Sequence, residues 1–170
     1  NIGAGRIVYQ SLVKINKSIE DETFYNNQSL KNAIKNCIEH NSNLHLLGLV
    51  SDGGIHGHID HLIALLKLCK KENFERVYIH VLLDGRDTEP LVAPRYVTQL
   101  KDAIEQIGIG KIITIGGRYY AMNRDRNWEL TKIAYDAIIN GQSQINVNTT
   151  EEAFQIEYAS NDTDEFMKPT

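Results

Sequence analysis

The chain has 170 residues, which is enough for one domain with a sizeable core but short for two independent domains. Its formal net charge at pH 7 is −4, and its Lys and Arg residues are dispersed along the sequence. This balance disfavours a protein that binds nucleic acid or an anionic membrane through a basic surface.

The apolar runs and the cysteines of the sequence indicate in which cellular compartment the protein resides. No apolar run approaches the roughly 20 residues that a membrane span needs, and the N-terminus lacks a signal-peptide pattern. The two cysteines, Cys37 and Cys69, lie inside apolar helical patterns, so we expect buried thiols rather than a disulfide or a metal site. We therefore predict a cytoplasmic protein that is not membrane-bound.

The first 40 residues carry two helical patterns. Apolar residues recur at helical spacing, first at Val8, Leu12, Ile15 and Ile19, then at Leu30, Ala33, Ile34, Cys37 and Ile38. These stripes predict two amphipathic helices that precede the first strand.

A strand followed by a helix then occurs three times. The strands are predicted in "LHLLGLV", "RVYIHVLL" and "KIITI", and each precedes a polar loop and an amphipathic stretch. Near-continuous apolar strands that alternate with helices are typical of a parallel sheet with both faces covered. The fold class that we predict is α/β, a three-layer domain with a mostly parallel sheet flanked by helices. Beyond residue 140, "EEAFQIEYAS" predicts a short helix and "NDTDEF" a turn.

The three strand ends carry the residues suited to chemistry. Ligands of parallel sheets bind outside the carboxyl ends of the strands, where the loops converge. The residues that we expect there are His56 in the first loop, Asp84, Arg86 and Asp87 in the second, and Arg118 and Arg124 in the third. Several guanidiniums directed at one pocket suit a small molecule with more than one anionic group. Asp87 is a candidate to accept or return a hydroxyl proton.

Structural roles remain open for several of these residues. Asp84 caps a turn in the simplest interpretation, and "SDGG" is a common turn sequence. His56, His58 and His61 suggest a metal cluster, but a solvated helix side is the better interpretation, and we assign no metal ligand to this chain. We expect structural roles for His40, His45 and His80.

Four segments together resemble cofactor-independent phosphoglycerate mutase, in order and spacing. They are "NIGAGRIVYQSL", "SDGGIHGHIDHLIALL", "LDGRDTEP" and "GGRYYAMNRDRNW". In that family a metal-dependent, phosphatase-like domain carries a serine nucleophile, and an inserted domain holds the substrate. The chain is similar to the inserted domain.

The resemblance implies interconversion of 3-phosphoglycerate and 2-phosphoglycerate through a phosphoserine, without bisphosphoglycerate. It assigns His56 to the phosphoryl group, Arg86 and Asp87 to glycerate, and Arg118 and Arg124 to the carboxylate or phosphate, with Asp87 as the acid/base residue. Two Mn²⁺ ions would be bound by the other domain of the same polypeptide, in a monomeric enzyme. Residues 1–170 would form a single domain, with 1–10 as the connection to the metal-binding domain, and this part alone would be inactive.

The sequence departs from the family pattern at two places. Gly57 stands where a serine is usual, and Asn123 stands where an acidic residue is usual. Neither position is a proposed ligand, so both affect the subfamily more than the function.

Two other functions remain open at this point. One is a Mg²⁺-dependent phosphohydrolase that uses Asp84 and Asp87. The other is a non-catalytic protein that binds phosphorylated hydroxy acids.

Overall fold

The computed structural model describes residue 3 and residues 5–170. Of the predicted connection 1–10, residues 1, 2 and 4 lie outside the described residues. Residues 7–10 have no regular secondary structure and are exposed.

Helices and strands alternate along the chain as the sequence predicts. In order they are α1 (Ser11–Glu20), a 3₁₀ turn (Thr23–Asn26), α2 (Gln28–Glu39), β1 (Leu44–Leu49), α3 (Ile59–Lys71), β2 (Val77–Leu83), α4 (Ala93–Ile107), β3 (Lys111–Gly117), α5 (Arg118–Ala121), α6 (Trp128–Tyr135), a π-helical turn (Asp136–Asn140), α7 (Thr150–Ala159) and a 3₁₀ turn (Asp164–Phe166). The predicted first helix is shorter than its apolar stripe, because Val8 precedes its start at Ser11.

The sheet is parallel and has the order β1-β2-β3. Leu46 pairs with Ile79, and Ile79 pairs with Ile112. The next pair of β2 and β3 is His80 with Thr114, so Ile113 is an extra residue in β3. All three strands therefore end on the same edge, and the predicted α/β class with helices around the sheet is confirmed.

One face of the sheet carries the main core. Ile79, Val81 and Leu83 of β2 are at most 1% exposed and pack in one cluster with Leu66 of α3 and Leu100 of α4. Burying side chains of this size contributes about 2 kcal/mol each. Cys37 and Cys69 are free thiols at the same core, as predicted.

The opposite face differs from the prediction that both faces are covered throughout. Near the carboxyl ends, Leu82 shares a small cavity wall with Ala134 and Ala137 of the helical segment that follows α5. In the middle of the strands, Leu47 of β1 is 57% exposed and Ile113 of β3 is 38% exposed. The helical cover within the described residues thus follows the strand ends, where the loops lie.

Histidines cross-link the strands on this second face. His80, 2% exposed, lies 2.9 Å from His45 of β1 through Nε2 and 2.8 Å from the Thr114 hydroxyl of β3 through Nδ1. Burial, with a smaller contribution from His45, lowers the pKa of His80. The predicted structural roles of His45 and His80 agree with these contacts.

None of the helices in the described part of the chain is long and apolar enough to cross a membrane.

Acidification should destabilise the protein through His80. A histidine with a lowered folded-state pKa binds protons more tightly when unfolded, so its stabilising effect is complete above the unfolded pKa of about 6.5 and is lost as pH falls below it. His61, whose pKa burial also lowers, adds to this effect. We expect the midpoint temperature of unfolding to decrease as the pH is lowered from 7.5 to 5. His80→Asn should make this decrease smaller. His40→Asn, at the exposed end of α2, is the control; an unchanged slope in His80→Asn would contradict the assignment.

Candidate functional site

A buried carboxylate connects the ends of all three strands. Asp84, the residue after β2, is 2% exposed. The hydroxyl of Ser51, two residues after β1, donates to its Oδ2 at 2.8 Å. Arg118, the residue after β3, donates through Nη1 to Oδ1 at 2.7 Å. Asp84 therefore fixes the three loops relative to one another.

Hydrogen bonds keep this buried carboxylate ionised. Burial raises the pKa of Asp84, but donors from the Asp87 backbone N–H, the Ser51 hydroxyl and Arg118 outweigh it, so the pKa lies below its usual value. Burial lowers the pKa of Arg118, and the carboxylates of Asp87 and Asp84 more than restore it. The pair is thus charged on both sides at neutral pH.

Arg118 is shared between two aspartates. The same Nη1 that bonds to Asp84 also lies 2.5 Å from Oδ2 of Asp87, whose side chain is 29% exposed. The backbone N–H of Asp87 in turn donates to Oδ1 of Asp84 at 3.0 Å. Charge-assisted bonds of this kind are strong and directional, so the guanidinium is held in one orientation.

Four of the five predicted site residues line one cavity of about 150 Å³. Its walls include His56, Arg86, Arg118 and Arg124, which come from all three loops. Asp87 is adjacent to this wall through its bond to Arg118. The structure thus brings these five residues together at one edge of the sheet, while their roles stay predictions.

His56 is presented by a constrained loop. It is exposed and has φ of 65°, in the left-handed region that few non-glycine residues adopt. The loop is tied to α4 because the Tyr96 hydroxyl donates to Asp52. His58 instead caps the start of α3, because its Nδ1 accepts the Asp60 N–H.

A second histidine of this group also has a structural partner. Nε2 of His61 lies 2.7 Å from Oδ1 of Asn16 on α1. This contact agrees with the interpretation of His58 and His61 as a helix side rather than as metal ligands.

The two departures from the family pattern fit their surroundings. Oδ1 of Asn123 accepts the N–H groups of Asp125 at 3.2 Å and Asn127 at 3.1 Å, which shapes the loop of Arg124. An acidic side chain would supply the same acceptor. At Gly57 a Cβ atom would meet Leu49 at 3.5 Å, an ordinary contact, so a serine would also fit.

A short helix follows β3 directly. This helix, α5, begins at Arg118 and ends at Ala121. Arg118 is thereby fixed to the end of β3, and Arg124 lies in the exposed loop beyond α5.

Ser51 and Glu165 also belong to the site, although their sequence context does not predict it. Glu165 lies in the 3₁₀ turn Asp164–Phe166, lines the cavity, and places Oε1 3.7 Å from Nη1 of Arg86. The available hint was a glycine before each arginine, Gly85 and Gly117, because glycine permits close approach of another backbone. The sequence does not tell which backbone approaches.

A larger cavity of about 440 Å³ lies at the outer edge of β3, lined by residues such as Ile113, Val147 and Thr149. Thr170 lies at the same edge and exchanges two backbone hydrogen bonds with Ile115, at 3.0 and 2.8 Å. None of the five predicted site residues lines this cavity, so we assign the function to the smaller one.

Comparison with known proteins gives concordant matches. The family model described as BPG-independent PGAM N-terminus matches residues 15–170. Proteins named 2,3-bisphosphoglycerate-independent phosphoglycerate mutase are similar to the chain: that of Moorella thermoacetica is 53% identical over 169 residues, and that of Clostridium botulinum is 50% identical over 170 residues. These matches cover 99% and 100% of the chain but 33% of each relative. The chain thus spans about one third of the length of these relatives.

A solved structure shares the fold. It is a Leishmania mexicana phosphoglycerate mutase crystallised at low cobalt concentration, with a TM-score of 0.88 and 24% identity. The match covers 97% of this chain and 31% of that one.

A methyl group at Gly117 should disrupt the cavity wall. Its Cβ would lie 2.1 Å from the carbonyl oxygen of Glu165 and 2.6 Å from that of Asp164, and these backbone atoms cannot move aside as a flexible side chain would. We expect Gly117→Ala to lower the free energy of unfolding by about 3 kcal/mol, as overpacking does, measured by urea denaturation. Gly48→Ala in β1 is the matched control, since nothing lies within 4 Å of its added Cβ. Equal stability of the two variants would contradict the contact.

Proposed function

This chain belongs to the BPG-independent phosphoglycerate mutase family, and from that membership we propose that it holds the substrate in an enzyme that interconverts 3-phosphoglycerate and 2-phosphoglycerate. The observation that carries the proposal is the convergence of three arginines and one histidine, from three separate loops, on one small cavity. A phosphorylated hydroxy acid presents a phosphate and a carboxylate, and each suits an arginine.

The proposed roles divide according to exposure. The Arg86 side chain is 53% exposed and Arg124 is also exposed, so both can turn toward the phosphate or carboxylate of a ligand. Arg118 is fixed by its two aspartates and offers the remaining N–H groups of its guanidinium. His56, on its constrained loop, is assigned to the phosphoryl group.

Asp87 is assigned to the substrate hydroxyls. In the proposed reaction the phosphoryl group passes to a serine of the remaining polypeptide and returns to the other hydroxyl of glycerate. A carboxylate has about four acceptor positions, so Asp87 can bond to Arg118 and still accept a hydroxyl proton. Arg118 would hold the Asp87 carboxylate in position next to the glycerate.

The carboxylates of this site do not fit a metal ion. Asp84 and Asp87 both bond to the guanidinium of Arg118, which occupies the space between them. In residue 3 and residues 5–170 no group of three or more His, Cys, Asp or Glu side chains could hold a metal ion. We therefore assign the two metal ions, proposed to be Mn²⁺, to the phosphatase-like domain of the same polypeptide.

Arg118 also disfavours the hydrolase alternative. A Mg²⁺-dependent phosphohydrolase would need Asp84 and Asp87 free to bind the ion, and displacing Arg118 would leave its charge buried without a partner. A non-catalytic protein that binds the same acids differs only in turnover, which the intact protein decides. We further propose a cytoplasmic, monomeric enzyme in which residues 1–10 connect the two domains.

Replacing Asp87 should impair turnover in the full-length protein. Asp87→Asn removes the proton acceptor while Asp84 still holds Arg118, so we expect kcat/KM for 3-phosphoglycerate to fall by about 10²- to 10⁴-fold. Asp102→Asn removes the same charge from an exposed position of α4 outside the cavity and should stay within about threefold of wild type. Near-normal turnover in Asp87→Asn would refute the acid/base role.

Substrate binding should require the rest of the protein. The three arginines are accompanied by four carboxylates, those of Asp84, Asp87, Asp125 and Glu165, so this half of the site has no excess of positive charge for a multiply charged anion. Calorimetric titration of 3-phosphoglycerate should give at least tenfold weaker binding to residues 1–170 than to the full-length protein. Equal affinity would show that the pocket is not shared between domains.

A further inference from the structure

Glu165 places a carboxylate at a cavity whose arginines suit anions, and the other acidic lining residue, Asp125, is exposed. The Glu165 side chain is 19% exposed and shares the cavity wall with Arg86, Arg118 and Arg124. Its nearest cation is Arg86, at 3.7 Å. A negative charge at this position pairs with Arg86 but repels the ligand that the arginines attract.

The backbone of Glu165 is held firmly against both arginine loops. A Cβ added at Gly85 would lie 2.6 Å from the Glu165 backbone N, and one added at Gly117 would lie 2.1 Å from its carbonyl oxygen. Phe166, the next residue, packs its ring against Tyr119 with centroids 4.9 Å apart. The glycines that precede Arg86 and Arg118 therefore both accommodate this one residue.

The preceding residue anchors the same turn to the start of α4. Oδ2 of Asp164, which is fully buried, accepts the N–H groups of Val92 at 2.9 Å and Ala93 at 2.8 Å. The Asp164 N–H donates to the carbonyl of Pro90. The carboxylate of Glu165 is thus presented from a fixed backbone and cannot leave the cavity by a loop movement of its own.

The negative charge of Glu165 determines how this residue affects a bound anion. In the free protein Glu165 pairs with Arg86, the more exposed partner, whose guanidinium can turn to a bound anion. The Glu165 charge remains close to that anion, and its repulsion grows with every negative charge that the ligand carries. This repulsion is therefore weaker for a ligand with one phosphate than for a ligand with two.

We propose that Glu165 is a specificity-determining residue that limits the negative charge of the ligand, so that the site accepts a singly phosphorylated hydroxy acid and rejects more highly phosphorylated ones. The inference rests on the proposed function for the identity of the ligand. Its physical basis is the placement of the Glu165 carboxylate, whose side chain is 19% exposed, among three guanidiniums at a cavity of about 150 Å³, whose other acidic lining residue, Asp125, is exposed.

The test is calorimetric titration of the full-length protein with ligands of increasing charge. The series is glycerate, 3-phosphoglycerate and 2,3-bisphosphoglycerate, titrated into wild type and Glu165→Gln, which keeps the shape and removes the charge. We expect Glu165→Gln to leave glycerate almost unchanged, to bind 3-phosphoglycerate about threefold more tightly, and to bind 2,3-bisphosphoglycerate at least tenfold more tightly.

Two controls separate charge from structure. Glu165→Asp keeps the charge and should retain the wild-type order of affinities. Glu151→Gln removes a charge at an exposed pair with Lys101, outside the cavity, and should change none of the affinities. Equal weakening for all three ligands in Glu165→Gln, or no change in their ratios, would overturn the proposal, because a purely structural residue cannot improve binding selectively.

An error in the proposed function can be distinguished from an error in the role of Glu165. If the wild-type full-length protein neither binds nor converts 3-phosphoglycerate, the proposed function is wrong. The charge limit is then judged with inorganic phosphate and pyrophosphate in the same variants. A selective gain for pyrophosphate in Glu165→Gln would support it, and an unchanged ratio would refute it.

Discussion

The carboxylate of Asp84 is the interaction on which the arrangement of the site depends. A charge buried to this degree is tolerated only with partners, and here a hydroxyl, two backbone N–H groups and a guanidinium supply them. Those partners come from the ends of three different strands. Removing any one of them leaves a buried polar group without compensation, so the loops that carry the site are stabilised together rather than separately.

This coupling divides the cations of the site into two kinds. Arg118 is fixed between Asp84 and Asp87, which makes it a rigid part of the wall. Arg86 and Arg124 are exposed and retain rotamer freedom, so they suit the parts of a ligand that change position during a reaction. The proposed phosphoryl transfer from one hydroxyl to its neighbour would need this combination, because the glycerate must be held while the reacting groups exchange places.

The sequence predicted the parts of the site that follow from local pattern and sheet topology. Apolar runs marked the three strands, and parallel strands end on one edge, so His56, Arg86 and Arg118 could be placed together before any coordinates. Glu165 could not, because its position depends on a backbone contact with Gly85 and Gly117 across 80 and 48 residues of sequence. The ion pair of Asp84 with Arg118 could not be predicted either, because an aspartate that caps a turn and an aspartate in a buried ion pair occur in the same local sequence.

Charge balance links this domain to the rest of its polypeptide. Four carboxylates accompany the three arginines of the cavity, so binding a phosphate and a carboxylate here would add negative charge to a site that has no positive excess. Under the proposed function, further cations would reach the same ligand from the rest of the polypeptide, since the matched part is 33% of each relative. A ligand shared in this way would be released when the two domains separate and held when they meet, so their closure would contribute to the binding free energy.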